Sequence, residues 1–336
     1  MSRKELIFNL VRGSFVDGWG VRTTVFLKGC PLHCKWCCNP EGQRYTPELR
    51  IFHQRCNSCG KCVNCCPKQA LSLTSEGITC DRAQCDGCGK CLDACPDKAL
   101  ELFGQWMTAR EVFEIVKKDQ DYYALSSGGL TIGGGEASQF PEFCLELMEL
   151  CHESGISVAV DTCGYAPRPE NFSVLATADL LLYDIKGVDP VQHKKNTGVD
   201  NSIIWANLRR LNELGKEIII RIPVIPGYND SDNELEEIAH RLVRLECIRR
   251  VDLICYHQYG MVKYQQLERR YPLPDSVMPI LPERQKKKIV SVSDSSCVPF
   301  VTVSAFDKTN RFLCGVHPIP CLPRMWLLPV STRARC

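Results

Sequence analysis

Cys30-Pro31-Leu32-His33-Cys34-Lys35-Trp36-Cys37 is the stretch on which the reading of this chain turns. Three residues separate the first pair of cysteines and two separate the second. Three thiolates this close in sequence can hold three irons of a cubane 4Fe–4S cluster and leave the fourth iron without a protein ligand. An open iron can bind a small molecule and pass it an electron at short range, which a fully ligated cluster cannot. Trp36, just before the last cysteine, can pack over the cluster. Two competing readings are a zinc site and three buried thiols. Zinc wants a fourth ligand, and Cys38 or His33 would be the candidates.

Outward from this stretch, two longer runs repeat one spacing. Cys56, Cys59, Cys62 and Cys66 precede Pro67, and Cys85, Cys88, Cys91 and Cys95 precede Pro96. Both read Cys-x2-Cys-x2-Cys-x3-Cys-Pro, the bacterial two-cluster ferredoxin pattern, in which the fourth cysteine of each run ligates the other cluster. Cys56, Cys59, Cys62 and Cys95 are therefore expected to hold one cluster, and Cys85, Cys88, Cys91 and Cys66 another. Crossed ligands tie together a segment too small for a large core. Two zinc knuckles are the alternative. Cys38, Cys65 and Cys80 fall outside the patterns and read as bystanders. The segment runs from about residue 48 to 104 and is expected to interrupt the chain after its first β–α element.

The chain has 336 residues and 23 cysteines. Cysteine at that density, without the features of a secreted protein, points to metal rather than disulfides. The start, Met-Ser-Arg-Lys-Glu-Leu-Ile-Phe-Asn-Leu, lacks the apolar core of a signal peptide, and no apolar stretch approaches the ~20 residues of a membrane span. The expectation is a cytoplasmic protein, and exposed clusters point to an anaerobic host. Lys plus Arg number 41 against 39 Asp plus Glu. This balance argues against a nucleic-acid or membrane partner chosen by bulk electrostatics.

Around the cysteine-rich segment, short apolar runs alternate with amphipathic stretches. The runs are Thr23–Leu27, Leu130–Ile132, Ile156–Val160, Ala178–Tyr183, Glu217–Val224 and Val251–Tyr256. Helical patterns cover Thr108–Lys118, Pro141–His152, Ile203–Leu214 and Asn233–Leu245. Continuous runs such as Ile218-Ile219-Ile220 suit strands buried on both faces of a parallel sheet. Six β–α units imply a partial (β/α)6, TIM-like barrel carrying its chemistry at the C-terminal strand ends. The residues after each strand fit: Cys30, Cys34 and Cys37; Gly133, Gly134, Gly135 and Glu136; Asp161, Thr162, Cys163 and Gly164; Asp184 and Lys186; Arg221 and the Pro223–Gly227 turn; His257. The glycines lack the dinucleotide fingerprint, and they let the backbone approach a ligand closely. An ordinary βα turn is the plain alternative.

With these residues together, the chain resembles the glycyl-radical-enzyme activating enzymes, a branch of the radical S-adenosylmethionine (SAM) superfamily. The resemblance covers about residues 8 to 290. It rests on Asp17-Gly18-Trp19-Gly20-Val21-Arg22-Thr23, the three-cysteine run with Asn39-Pro40-Glu41, Gly134-Gly135-Glu136, Asp161-Thr162-Cys163-Gly164 and Asp184-Ile185-Lys186. It continues through Arg221–Asp230 and Tyr256–Gly260 with Lys263-Tyr264. The doubled cysteine segment is similar to that of the larger members. The resemblance implies three 4Fe–4S clusters, SAM bound at the open iron, and a 5′-deoxyadenosyl radical that takes a hydrogen from a glycine of a partner glycyl radical enzyme. It implies that Trp36, Gly134, Gly135, Glu136, Asp184, Lys186, Arg221 and His257 surround SAM, with Glu136 accepting from its amine. It implies a monomer served by flavodoxin or ferredoxin. A radical SAM enzyme with another substrate and a plain electron carrier are the rival readings.

The domains expected are residues 1–47 as the start of the barrel, 48–104 as the ferredoxin-like insert, 105–290 as the rest of the barrel, and 291–336 as an atypical tail. Two departures from the family stand out. Trp19 replaces a usual proline in a loop expected near the partner's glycine loop. Residues 291–336 carry no Glu, five Pro and four Cys, so they read as a disordered or frame-shifted tail that does not continue the barrel. Val298–Val303 is its one candidate strand, and Cys297, Cys314, Cys321 and Cys336 its one candidate metal set.

Overall fold

A computed structural model describes residues 3–75 and 77–279, together with the backbone of 300–306 and 312–318. The chain opens with β1 (Lys4–Ser14) and β2 (Arg22–Leu27), paired antiparallel. Residues 48–103 follow as a small unit: β3 (Glu48–Ile51), α1 (Lys61–Asn64), β4 (Leu71–Thr74), β5 (Gly77–Cys80), α2 (Lys90–Ala94) and β6 (Leu100–Phe103). The chain returns along β1 as β7 (Gln105–Thr108). Then come α3 (Ala109–Val116), α4 (Gln120–Ser126), β8 (Gly129–Gly134), α5 (Pro141–Glu153), β9 (Ser157–Thr162), α6 (Pro169–Thr177) and β10 (Leu180–Asp184). After these stand α7 (Pro190–Thr197), α8 (Ser202–Glu213), β11 (Glu217–Val224), α9 (Asp232–Leu242), β12 (Ile248–Cys255), α10 (Met261–Gln266), β13 (Phe300–Phe306) and β14 (Phe312–Pro318).

The main sheet has the order β14-β13-β12-β11-β10-β9-β8-β2-β1-β7. Every pair from β2 through β13 is parallel. This is an α/β fold on a parallel sheet, and the apolar runs explain it. Ile218 and Ile220 join the large core under the helices, while Ile219 points the other way, to a small cluster with Ala159, Leu180 and Leu182. A strand apolar on both faces is stable only where both faces are covered. Each such side chain contributes roughly 1.5–3 kcal/mol when fully buried. Arg22 closes the same end of the sheet: its buried guanidinium donates to Thr131 Oγ1 at 2.7 Å and to the carbonyls of Trp19 and Ser157 at 3.2 Å each.

Two expectations need correction. The 48–103 unit lies between β2 and α3, inside the first β–α element rather than after it. The tail does not stop short of the sheet: β13 pairs parallel with β12, from Val251↔Val301 to Ile254↔Ser304, and β14 folds back on it. The run Phe300-Val301-Thr302-Val303, part of the candidate strand Val298–Val303, has no proline and is rich in strand formers. The four-cysteine set of the tail lies outside the described side chains. Among the described residues no helix is long and apolar enough to cross a membrane.

The 48–103 unit has its own core of Leu49, Ile51, Leu71, Ile78 and Leu100, with Cys62, Cys80 and Cys91 packed among them. It joins the rest of the chain through buried charge. Lys28 Nζ stands 2.7 Å from Glu48 Oε2 and donates to the Glu41 carbonyl at 2.6 Å, and Arg269 also pairs with Glu48.

Candidate active site

Strand alternation builds the site. Ala159, Leu182 and Ile219 face the inner side of the sheet, so Asp161, Asp184 and Arg221, each two residues further on, face the same way. One cavity of about 300 Å³ opens there. It is lined by Cys30, Cys34, Cys37 and Cys38, by Gly134 and Gly135, and by Asp161, Asp184, Lys186, Arg221 and His257. All six β–α units thus contribute to one mouth.

The cysteine loop is held mainly by its backbone. Gly29 N–H donates to Gly42 O at 2.8 Å, Cys30 N–H to Gln43 O at 3.1 Å, and His33 N–H to Thr197 O at 2.7 Å. From the next strand, Gly135 N–H donates to Leu27 O at 2.7 Å and Glu136 N–H to Gly29 O at 2.9 Å. A Cβ on Gly135 would stand 2.1 Å from the Gly29 carbonyl oxygen, so only glycine lets the two loops meet. Trp36 packs with Ile225, Tyr256, Leu273 and Val277 and meets Tyr228 edge-on at 6.3 Å. It braces the loop between two cysteines and also lines the cavity. Burial pushes the Cys30, Cys34 and Cys37 thiols up, so a bound metal must displace their protons.

The cavity lining also carries paired charge. Lys186 Nζ lies 2.6 Å from Asp184 Oδ2, and Arg221 lies 3.2 Å from Asp161 Oδ2. Burial, with Asp184 and Asp17 nearby, pushes Asp161 up to about 7 despite Arg221. Asp184 and the cavity thiols hold the Lys186 ammonium more firmly protonated than usual, against the opposing effect of its burial. His257 Nδ1 is buried with no hydrogen-bond partner, and burial lowers its pKa. An unpartnered ring nitrogen in a cavity that two ion pairs also line suits a small polar ligand better than an apolar one.

Glu136 is not where the sequence suggests. It is fully buried and absent from the cavity lining. Its Oε1 accepts from Ser138 N–H at 3.1 Å and Thr162 Oγ1 at 2.8 Å, and its Oε2 from Cys163 N–H at 2.7 Å. The residue caps the turn after β8 and ties it to β9. His33 also turns away, its Nδ1 3.0 Å from the Leu32 carbonyl. Trp19 sits at the other end of the strands, donating to Glu217 at 3.1 Å and stacked with Arg250 at 4.6 Å. Asp17, from the same loop, does reach the cavity, and no sequence signal set it apart from its neighbours.

In the 48–103 unit the eight patterned cysteines fall into two small hollows. Cys56, Cys59, Cys62 and Cys95 line one, and Cys66, Cys85, Cys88 and Cys91 line the other. Cys38 proves to line the main cavity, while Cys65 donates to the carbonyl of Cys62 at 3.4 Å. Among the described residues no three His, Cys, Asp or Glu side chains close tightly enough around a single ion. A cubane is larger than one ion, and each set of thiols surrounds a space rather than a point. The donor sets, three thiols in the barrel and four in each hollow, fit 4Fe–4S clusters.

Comparison with known proteins shows the family. Residues 24–242 match the radical SAM superfamily. The trans-4-hydroxy-L-proline dehydratase activating enzyme of Clostridioides difficile is 43% identical over 270 residues, covering 79% of this chain and 89% of the relative. The choline trimethylamine-lyase activating enzyme of Oleidesulfovibrio alaskensis is 39% identical over 279 residues, covering 81% and 90%. The crystal structure of Streptococcus suis SuiB bound to its precursor peptide SuiA shares the fold alone, at 13% identity and a TM-score of 0.50, over 82% of this chain and 47% of that one. The chain belongs to the radical SAM superfamily and, within it, to the activating enzymes of glycyl radical enzymes.

Proposed function

We propose that Cys30, Cys34 and Cys37 hold the 4Fe–4S cluster at which SAM is cleaved, and that Gly134, Gly135, Asp184, Lys186, Arg221 and His257 hold SAM against it. The observation that carries this reading is one cavity whose lining brings three thiols together with two ion pairs. Lys186 and Arg221 are suited to a carboxylate, and Asp184 to a cationic amine. Trp36 fixes the loop between the cysteines. The glycines of the β8 turn let the ligand lie against backbone.

When bound and reduced, the cluster would supply the one electron for cleavage of SAM to methionine and a 5′-deoxyadenosyl radical, the species that would take the Cα hydrogen of one glycine in the partner glycyl radical enzyme and leave 5′-deoxyadenosine and a glycyl radical. The chain's own share is to hold SAM and the incoming glycine in line and to exclude water around a reactive intermediate. Asp17 completes the lining.

We further propose that the 48–103 unit is a ferredoxin-like insert with two more clusters, on Cys56, Cys59, Cys62 and Cys95 and on Cys85, Cys88, Cys91 and Cys66. The two hollows, each lined by one crossed set of four, support it. The insert would accept electrons from flavodoxin or a ferredoxin, in an anaerobic cytoplasm, with the enzyme acting as a monomer.

The test is anaerobic reconstitution. The chain is expected to bind about twelve irons, and the triple change of Cys30, Cys34 and Cys37 to Ala to lose about four of them together with all SAM cleavage. Unchanged iron in that variant would refute the assignment. Candidate partner enzymes, incubated with the reduced protein and SAM, are then read for a glycyl radical by electron paramagnetic resonance.

A further inference from the structure

The two cysteine hollows stand at different depths from the barrel. Leu49 and Leu102 are cross-strand partners on β3 and β6 and border the hollow of Cys66, Cys85, Cys88 and Cys91. Leu100, on the same face two residues earlier, borders the hollow of Cys56, Cys59, Cys62 and Cys95. Two residues of strand span about 6.6 Å. The ribbon runs toward the barrel in the direction of Leu102, because Gly104 just beyond it packs against the side chains of Leu6 and Lys28. Gly87 of the nearer hollow also abuts Pro47: a Cβ there would stand 2.8 Å from the proline Cβ.

One segment of the barrel touches both this hollow's surroundings and the cysteine loop. Glu268 accepts from Arg82 at 3.0 Å and from Cys80 N–H at 3.2 Å. At the other end Gly260 lies against the backbone of Cys37 and Cys38, and Lys263 Nζ donates to Asn39 Oδ1 at 2.6 Å. The helix α10 between these contacts is about 9 Å long at 1.5 Å per residue. Electron tunnelling falls exponentially with distance, so the short bridge favours one hollow over the other.

We infer that the Cys66/Cys85/Cys88/Cys91 site is the inner one, coupled to the Cys30/Cys34/Cys37 site across Gly260–Arg269, and that the Cys56/Cys59/Cys62/Cys95 site is the outer one, facing an external reductant. This rests on the proposal that the insert holds two clusters. Each transfer moves one electron and no proton, and the external donor, a reduced flavoprotein or iron–sulfur protein, is oxidised by one electron.

The test uses the full-length, reconstituted, fully reduced protein and reads spin relaxation rather than turnover. The N-terminal cluster's signal is identified as the one that SAM shifts, and its microwave power saturation is measured. Cys88→Ala is expected to slow its relaxation, and Cys59→Ala to leave it fast. Because crossed ligands allow either change to collapse both clusters, Lys68→Glu and Asp97→Lys, which keep every thiol and border the inner and outer hollows respectively, form a second pair. The cluster whose midpoint moves negative in Lys68→Glu is expected to be the one whose reduction alters the N-terminal signal. If that signal follows Cys59 and Asp97 instead, or neither pair, the order is overturned. A wild-type iron content of only about four per chain refutes the insert reading itself, a separate outcome.

Discussion

Glu136 Oε2 accepts a 2.7 Å hydrogen bond from the backbone N–H of Cys163, joining the turn after β8 to the turn after β9. Both turns form walls of the cavity, through Gly134 and Gly135 on one side and Thr162 and Cys163 on the other. The buried carboxylate therefore shapes the ligand site from behind.

Glu136→Ala would strand the N–H groups of Ser138 and Cys163 in a dry interior. Each buried donor left unpaired costs about 1–3 kcal/mol. The variant is expected to melt several degrees lower and to bind SAM at least tenfold more weakly. Glu136→Gln keeps the shape but turns an N–H₂ toward one of three donors, so an intermediate loss is expected. Anaerobic thermal melts and equilibrium SAM binding check both. Weaker binding with an unchanged melting temperature would show direct contact with the ligand instead.

Much of this site is readable without coordinates, and the reason is periodicity. Asp161 and Asp184 each follow an apolar run and Arg221 interrupts one, and a period of two puts them on the inner face once the runs are strands. The cysteine spacings are local and need no tertiary knowledge. What escapes is what depends on contacts distant in sequence. Lys28 and Glu48 look like surface charges, yet they pair in the interior. The helix α7 buries His193, Asn196 and Thr197, polar residues that give no amphipathic signal. Glu136 misleads because a carboxylate after three glycines looks ligand-facing, while its hydrogen bonds turn it inward.

Arg221→Met removes the charge that holds Asp161 down. Asp161 already stands at about 7 because of burial, and the variant is expected to raise it further. An acid raised above its unfolded value binds more protons when folded, so stability falls as pH climbs through the interval between the two values. Wild type is expected to be nearly level above pH 7, whereas Arg221→Met keeps losing stability up to pH 8. Removing one member of a buried pair costs roughly 3–5 kcal/mol. The lower end is expected here, since the Asp161 side chain keeps 29% of its surface open to the cavity. Melting curves at pH 6 and pH 8 decide it: equal values in the variant would show that Arg221 does not govern Asp161.

Asp119 gives the opposite sign. Arg12 donates to Asp119 Oδ2 at 2.8 Å and Thr23 Oγ1 donates at 2.9 Å, and the Arg12 hydrogen bond leads in holding the carboxyl below its usual range. Its stabilising contribution is present above the unfolded value near 4 and is lost as pH falls through the lower folded value. Asp119→Asn is expected to cost about 1.5 kcal/mol at pH 7, at the low end for hydrogen bonds to charged groups because Arg12 is half exposed. Between pH 5 and pH 3 wild type is expected to lose stability faster than the variant. Parallel acid titrations of the two would remove Asp119 from the account.

Truncation after Val290 tests the end of the sheet. It deletes β13 and β14, and so strips the parallel partner from Val251, Leu253 and their neighbours on β12. β12 would become an exposed edge with unpaired N–H and C=O groups, the arrangement that invites aggregation. The lining that β11, β12 and the turn after it supply, Arg221, Ile254 and His257, lies before the cut. The truncated chain is therefore expected to melt clearly lower and to aggregate at higher protein concentration, while the soluble fraction still binds SAM. Anaerobic melting together with light scattering and SAM binding separates the two effects. An unchanged melting temperature would mean that β13 contributes little to the sheet, and loss of SAM binding in soluble protein would mean that the site extends past His257.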